Sequence, residues 1–246
     1  MTNLDMIKIV MKRQMHSYFA TPIAYVFILM FLVLAGVFTF YLGHFFEKSQ
    51  ADLSAFFNFH PWLYLFFMPA IAMGLWAPER QLGTIELLMT LPIGAGNALL
   101  GKFLAAWVFS GIALILTFPI WLTVVYLGDP DNGVILAGYL GSWLMAGGFL
   151  AIGSCMSVCS KNQIVAFILT VVVCFIFMVS GVPMVLDAFT WAPQGMIDFI
   201  AGISILTRFD AIARGVLDLR DISYFALLIG LWLYLSYVFL QKNKAK

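Results

Sequence analysis

Residues 96–103, GNALLGKF, satisfy every position of the phosphate-binding loop pattern except the last, where a Ser or Thr must hold magnesium. Phe103 cannot do so, no strand precedes the motif and an apolar stretch follows it, so the setting contradicts a nucleotide site. His16, His44 and His60 lack zinc-protease spacing and triad partners, and they fall near expected membrane boundaries, as interfacial polar residues do. Cys155 and Cys159 lie four apart on an apolar helix and Cys174 stands alone, which suits small buried apolar residues better than a disulfide framework or a metal site. No paired carboxylates fall within the apolar stretches, so an intramembrane enzyme has no visible nucleophile and base.

The elements that would position any such chemistry are dictated by composition. Of the 246 residues 63% are apolar and 10% charged, with a mean hydropathy of +1.00. The solvent for most of this chain is lipid. A formal net charge of +1 supplies no basic field for nucleic acid. A spanning helix needs about 20 apolar residues, because hydrocarbon offers the backbone no hydrogen-bond partner. Six stretches meet or approach that length without a Lys, Arg, Asp or Glu: 22–43, 61–77, 103–127, 134–160, 163–186 and 222–240. One central charge in any of them would cost about 2.5–3.5 kcal/mol. The second is short and interrupted by Pro69, and 53–62 can lengthen it. The expectation is an all-α polytopic membrane protein of six transmembrane helices, forming one domain over 1–246.

Orientation follows from Lys and Arg placement. With the N-terminus inside, Lys8, Lys12, Arg13, Arg80, Lys102, Lys161, Lys242, Lys244 and Lys246 are cytoplasmic, and Lys48, Arg208, Arg214 and Arg220 are outside. Both termini are then cytoplasmic.

Three segments lie outside the spans. Residues 1–20 place Leu4, Ile7, Met11, Met15 and Tyr18 on one side and Asp5, Lys8 and Lys12, with Arg13 beside them, on another. Thr2 and Asp5 stand at capping-box spacing, so an amphipathic elbow helix on the membrane lipid is expected. In 78–93, PERQLGTIELLMTLPI, Thr84 caps a short cytoplasmic helix and Pro92 prevents its extension. Its apolar residues call for a protein or headgroup cover. In 187–221 a helical pattern sets Phe209, Ile212, Ala213, Val216 and Leu217 on one face, for the outer leaflet, and Asp210, Arg214 and Asp218 on the other. An amphipathic lid or re-entrant element is expected there, with a plain loop as the alternative.

Carriers coupled to protons or sodium keep ionisable groups at membrane depth, and the apolar stretches hold none. Energy for uphill movement would then arrive through a soluble partner acting on 78–93. On the fourth stretch Gly138, Ser142 and Ala146, and likewise Gly147, Ala151 and Cys155, recur every four residues, a pattern that lets helices approach closely. Trp62, Trp107, Trp121, Tyr126, Tyr139 and Tyr224 fall where aromatic belts lie.

Glu79, Gly83, Thr84, Glu86, Leu87, Leu88, Pro92 and Lys102, and the run FDAIARGVLDLRDISY over 209–224, resemble the permease subunits of ABC-2 type transporters, in particular the gliding-motility-associated and copper-enzyme-maturation branches. The first set matches the pattern E-x-x-x-G-T-x-E-x-L-x-x-x-P, with Leu87 and Leu88 straddling the patterned leucine, and the similarity covers nearly the whole chain. It implies an N-terminal elbow helix, six spans in a bacterial inner membrane, a coupling helix after the second span, and short extracytoplasmic re-entrant helices before the sixth. It further implies a homodimer bound to two copies of an ATP-binding subunit. That subunit carries the ATP and Mg, so no cofactor or catalytic residue is expected in this chain. Glu79, Arg80, Gly83, Thr84, Glu86, Leu87 and Leu88 are the expected contact with it. Some members of these branches work with an extracytoplasmic partner. The implied role is export or mechanical signalling; the rival reading is a membrane scaffold that organises partners and moves no solute.

Overall fold

The computed structural model describes residues 2–47, 52–84, 94–188 and 191–244, and every regular element among them is a helix. In chain order these are α1 (Asn3–Phe19), α2 (Pro22–Val37), α3 (Ser54–Ala72), α4 (Ala77–Gln81), α5 (Ala95–Ile115), α6 (Phe118–Leu127), α7 (Asn132–Cys159), α8 (Gln163–Val179), α9 (Pro183–Asp187), α10 (Gln194–Gly202), α11 (Ile205–Ala213) and α12 (Leu219–Lys244). A wide turn, Phe38–Leu42, continues α2.

Among the described residues five helical stretches are long and apolar enough to cross a membrane: Pro22–Leu42, Ser54–Gln81, Ala95–Leu127, Asn132–Cys159 and Leu219–Lys242. The described residues are thus all-helical, with five helical stretches of membrane-spanning length, as suits a membrane protein. The stretch expected over 163–186 divides instead. Helix α8 has 17 residues, about 25 Å at 1.5 Å per residue against a hydrocarbon core of about 30 Å. It ends in a turn at Ser180–Val182, and Pro183 starts α9. The third stretch begins at Ala95, eight residues before its expected start, and bends at Leu116–Thr117 just before Pro119.

Helix α7 is the axis of the bundle, buried along most of its length. Its small residues make this possible, because close approach of backbones replaces the apolar driving force that lipid removes. A Cβ on Gly138 would lie 2.5 Å from the Phe57 ring of α3, one on Gly153 would lie 2.3 Å from Ala72 Cβ, and one on Gly147 would lie 2.9 Å from Trp107 of α5 and from Ile229 of α12. The expected small-residue packing is therefore present, against several neighbours at once. Trp107 and Trp143 stack 4.4 Å apart between α5 and α7, and each indole donates to the other's backbone carbonyl.

The aromatic belt is only partly realised. Trp62 and Tyr126 are exposed, whereas Trp107 is spent on the pair just described. The Tyr139 hydroxyl meets Thr117 Oγ1 at 2.9 Å, and the Tyr224 hydroxyl donates to the Ile203 carbonyl. Helix α1 has the capping box expected of Thr2 and Asp5. It runs alongside α5, with Asn3 near Asn97, Val10 against Gly101 and Tyr18 against Phe109. Lys8, Lys12 and Arg13 face outward and are exposed.

Candidate functional site

The polar side chains of this apolar molecule gather where α3 ends. The helix stops at Ala72, a turn follows over Met73–Trp76, and Pro78 opens the short helix α4. A break of this kind strips backbone groups of their helical partners. Ser157 of α7 supplies them: its Oγ accepts the Trp76 and Ala77 amides at 3.0 Å each and donates to the Met73 carbonyl at 3.0 Å. Every hydrogen-bonding position of that hydroxyl is in use. Helix α4 then ends at Leu82, and Gly83 takes the left-handed conformation at φ +69°, which glycine adopts without a Cβ clash.

Two charged side chains of α4 turn inward. Glu79 Oε1 pairs with the Lys102 ammonium of α5, and Arg80 donates to the Val158 carbonyl of α7. Lys102 is 5% exposed. It also donates to the Leu75 carbonyl at 2.6 Å and lies 4.4 Å from the centre of the Trp76 ring. Because α5 starts at Ala95, Lys102 sits two turns inside the helix and not at its mouth. The expected stretch 103–127 stops short of Lys102, whereas the helix runs from Ala95 and includes it.

Of the expected contact residues, Glu79, Arg80, Gly83 and Thr84 thus stand together, with Thr84 Oγ1 at the edge of hydrogen-bond reach from the Glu79 carbonyl, 3.5 Å. Glu86, Leu87 and Leu88 lie outside the described residues. Spacing alone missed Ser157 and Val158, which are over 70 positions away from α4 in sequence. It also missed that Lys102 and Glu79, 23 apart, would meet.

The opposite group of sequence-identified residues forms differently from the expected amphipathic helix. Helix α11 ends at Ala213, and Gly215 at φ +87° turns the chain, so Asp210 and Asp218 do not share one helix. Asp218 Oδ1 instead accepts the Arg220 amide at the start of α12. Arg214 Nε donates to the backbone carbonyl of Asp210 at 3.1 Å, not to its carboxylate. Burial pushes the Asp210 carboxyl up, and the nearby Arg214 charge opposes that. The apolar face does not rest on lipid: Phe209 and Ile212 are fully buried, and a Cβ on Gly141 of α7 would lie 2.7 Å from Ile212. Only Val216 and Leu217 are exposed, beyond the break. The charged group that ties this region is Arg208, missed by periodicity, which reaches Asp221 of α12 at 3.0 Å.

His60 is wholly buried among Phe31, Phe56, Phe57 and Tyr64. Its Nδ1 meets the Phe56 carbonyl at 2.9 Å. A carbonyl only accepts, so Nδ1 carries the hydrogen and Nε2, which has no partner, is left as an acceptor. Among the described residues no three of His, Cys, Asp or Glu gather in a way that could hold a metal ion.

No model of a known protein family matches this chain, and no curated protein matches it.

Proposed function

We propose that this chain is the permease subunit of an ATP-driven transporter of the ABC-2 type, a multi-pass protein of a bacterial inner membrane with both termini cytoplasmic. In this reading α2, α3, α5 with α6, α7, α8 with α9, and α12 make six spans. Helix α1 is the elbow, and α10 and α11 are the short extracytoplasmic helices. The segment from Ala77 onward, running into 85–93, is the element on which two ATP-binding subunits act. A second copy of the chain completes the membrane unit.

One observation carries this reading. Helix α4 is tied at once to three long helices: it follows α3 across the turn at Met73–Trp76, Glu79 holds Lys102 of α5, and Arg80 and the Ala77 amide hold Val158 and Ser157 of α7. A solvated connector needs none of these bonds. A segment that must hand a displacement on to several spans needs all of them, because packed elements transmit force only through contiguous contacts. Glu79 and Arg80 then serve as its internal anchors, leaving direct contact with the ATP-binding subunit to Gln81, Leu82, Gly83, Thr84 and the Glu86–Leu88 stretch. Leu82 is 75% exposed.

Affinity purification of the tagged chain from its own membranes should bring down an ATP-hydrolysing protein. Glu86→Lys should abolish ATP-dependent function while leaving membrane insertion intact. Full activity of that variant would remove the assigned contact. An ATP-binding partner whose hydrolysis rate answers to no solute or lipid after reconstitution would favour a scaffold that organises other proteins.

A further inference from the structure

At the end of α3 away from α4, a cleft of about 240 Å³ opens between the start of α3, the start of α7 and the end of α11. Leu53, Phe57 and Ile135 form its apolar floor, and all three are buried. Asp52, Asp131 and Arg214 line the same cleft, so charge of both signs stands around an apolar base. Close contacts hold the walls in place. A Cβ on Gly215 would lie 2.9 Å from Val134 Cγ2, which seats the turn bearing Arg214 on α7, and one on Gly138 would lie 2.5 Å from the Phe57 ring, which seats α3 on α7.

Each of the three charged groups is fixed through one atom and free at the others. Asp52 Oδ1 accepts the Ser54 amide at 3.1 Å and the Ser54 hydroxyl at 2.7 Å. Asp131 Oδ1 accepts the Gly133 and Val134 amides at 2.8 and 3.3 Å. Arg214 Nε donates to the Asp210 carbonyl at 3.1 Å. Among the described residues, the second oxygen of either carboxylate and the two terminal nitrogens of Arg214 have no hydrogen-bond partner. Nor do the three pair with one another, since no ion pair among the described residues includes any of them. Opposite charges that line one cleft without meeting leave their attraction available to a ligand that bears both signs.

We propose that this cleft binds a small zwitterion with an apolar side group, an α-amino acid of the leucine type. The free oxygens of Asp52 and Asp131 take its ammonium, the Arg214 guanidinium takes its carboxylate, and its side chain rests on Leu53, Phe57 and Ile135. A guanidinium fork matches a carboxylate in two parallel hydrogen bonds. Sites for drug-sized ligands run from about 300 to 1,000 Å³, so a cleft of about 240 Å³ takes a molecule of amino-acid size. Because the charged groups are already oriented by their own backbone bonds, little ordering opposes binding. In the orientation proposed above the cleft opens on the extracytoplasmic side. Binding there needs this chain alone, so its failure and the failure of the ATP-driven reading are separate results.

Calorimetric titration of the full-length chain in lipid nanodiscs with leucine tests it, and saturable binding is expected. Leucine amide lacks the carboxylate and isocaproate lacks the ammonium; each loses hydrogen bonds to a charged group and should bind roughly tenfold more weakly or worse. That comparison uses the unaltered chain and so decides even where a variant fails to fold. Asp52→Asn and Asp131→Asn keep an oxygen for the amides that follow and remove only the charge. Each should weaken leucine roughly tenfold while the thermal midpoint stays in place. Arg214→Gln should weaken leucine to the same degree and leave leucine amide unchanged, a split that a merely structural arginine would not give. No saturable binding at millimolar leucine, equal binding of leucine and its amide, or leucine binding indifferent to all three substitutions would overturn the proposal.

Discussion

The Ser157 hydroxyl stands where Trp76 would otherwise present a bare amide to the interior of the bundle. It takes that amide and the next one, and returns its own hydrogen to the Met73 carbonyl. One side chain thereby satisfies three backbone groups of the break between α3 and α4, and Lys102 satisfies the Leu75 carbonyl. Ser157→Ala should therefore be costly beyond its size. It leaves two buried donors and one acceptor unmade, at about 1–3 kcal/mol each before relaxation. The expected result is a clear fall in the thermal midpoint of the purified chain. Ser154→Ala is the control, since that buried hydroxyl has no hydrogen-bond partner, and it should have little effect.

Lys102 and Glu79 call for a double-mutant cycle. Breaking a buried pair on one side leaves the other charge uncompensated and costs about 3–5 kcal/mol. Removing both partners with apolar or neutral groups of similar shape can be close to neutral. Lys102→Met should thus destabilise the chain strongly, and Lys102→Met with Glu79→Gln should recover part of the loss. Additive losses would mean that the two side chains are held independently. Because the Lys102 ammonium also serves the Leu75 carbonyl, recovery should be incomplete.

Much of the membrane architecture was legible in the residues, because a run such as 134–160 has only one solvent that accepts it. The capping box at Thr2 and Asp5 was legible for a similar reason: its partners are three residues apart. What could not be read was the pairing of residues distant in the chain. Lys102 falls just outside the third expected stretch because charge was used to mark the end of a span. In the structure, Glu79 and the Leu75 carbonyl supply what lipid lacks, so the helix runs on past the charge. His60 could be read only by its place near an expected boundary, and the ring of aromatic neighbours that encloses it could not be read from spacing. The run over 209–217 kept helical periodicity, but Gly215 at φ +87° ends the helix where periodicity gives no sign of it.

Every glycine of α7 has a neighbour within 4 Å of where a Cβ would sit, and glycines elsewhere provide the contrast. Gly153→Ala would drive a methyl to 2.3 Å from Ala72 Cβ, and Gly138→Ala would place one 2.5 Å from the Phe57 ring. Overpacking of this kind typically costs about 1–3 kcal/mol. Gly36 of α2 and Gly230 of α12 have nothing within 4 Å, so alanine there should gain up to about 1 kcal/mol from helix propensity. Thermal midpoints of the four variants should therefore move in opposite directions. A fall for Gly36→Ala would reveal a neighbour that the single chain does not supply.

The N-terminal cap should respond to acid. The Thr2 hydroxyl donates to Asp5 Oδ2 at 2.7 Å and the Thr2 amide does so at 3.0 Å, which holds the Asp5 carboxyl below its ordinary value. In the unfolded chain that carboxyl titrates near about 3.9. A group whose folded value is depressed contributes in full above the unfolded value and loses its contribution as pH falls through the folded one. The Asp5 and Met6 amides, which bond back to Thr2, should therefore stay protected at neutral pH and open below the carboxylate range. Asp5→Asn should abolish that pH dependence while leaving the protection of α12 unchanged.

Arg208 and Asp221 bridge the turn that interrupts the expected helix, joining α11 to α12 across Arg214–Asp218. Their side chains are 18% and 7% exposed, so solvent screens the pair weakly. The guanidinium lies 5.9 Å from the Tyr224 ring, whose hydroxyl is bonded to the Ile203 carbonyl ahead of α11. Asp221 carries the negative charge in the first turn of α12, where it also favours the helix dipole. Arg208→Ala should thus cost more than Asp221→Asn: the first strands a buried carboxylate, whereas the second leaves a neutral group that can still accept from Arg208. With about 3–5 kcal/mol expected for a stranded partner, Arg208→Ala should lower the thermal midpoint well below that of Arg214→Ala, whose side chain is exposed and bonded only to a backbone carbonyl. If the two arginine variants melt together, α11 is held by the burial of Phe209 and Ile212 alone, and the ion pair is incidental to the fold.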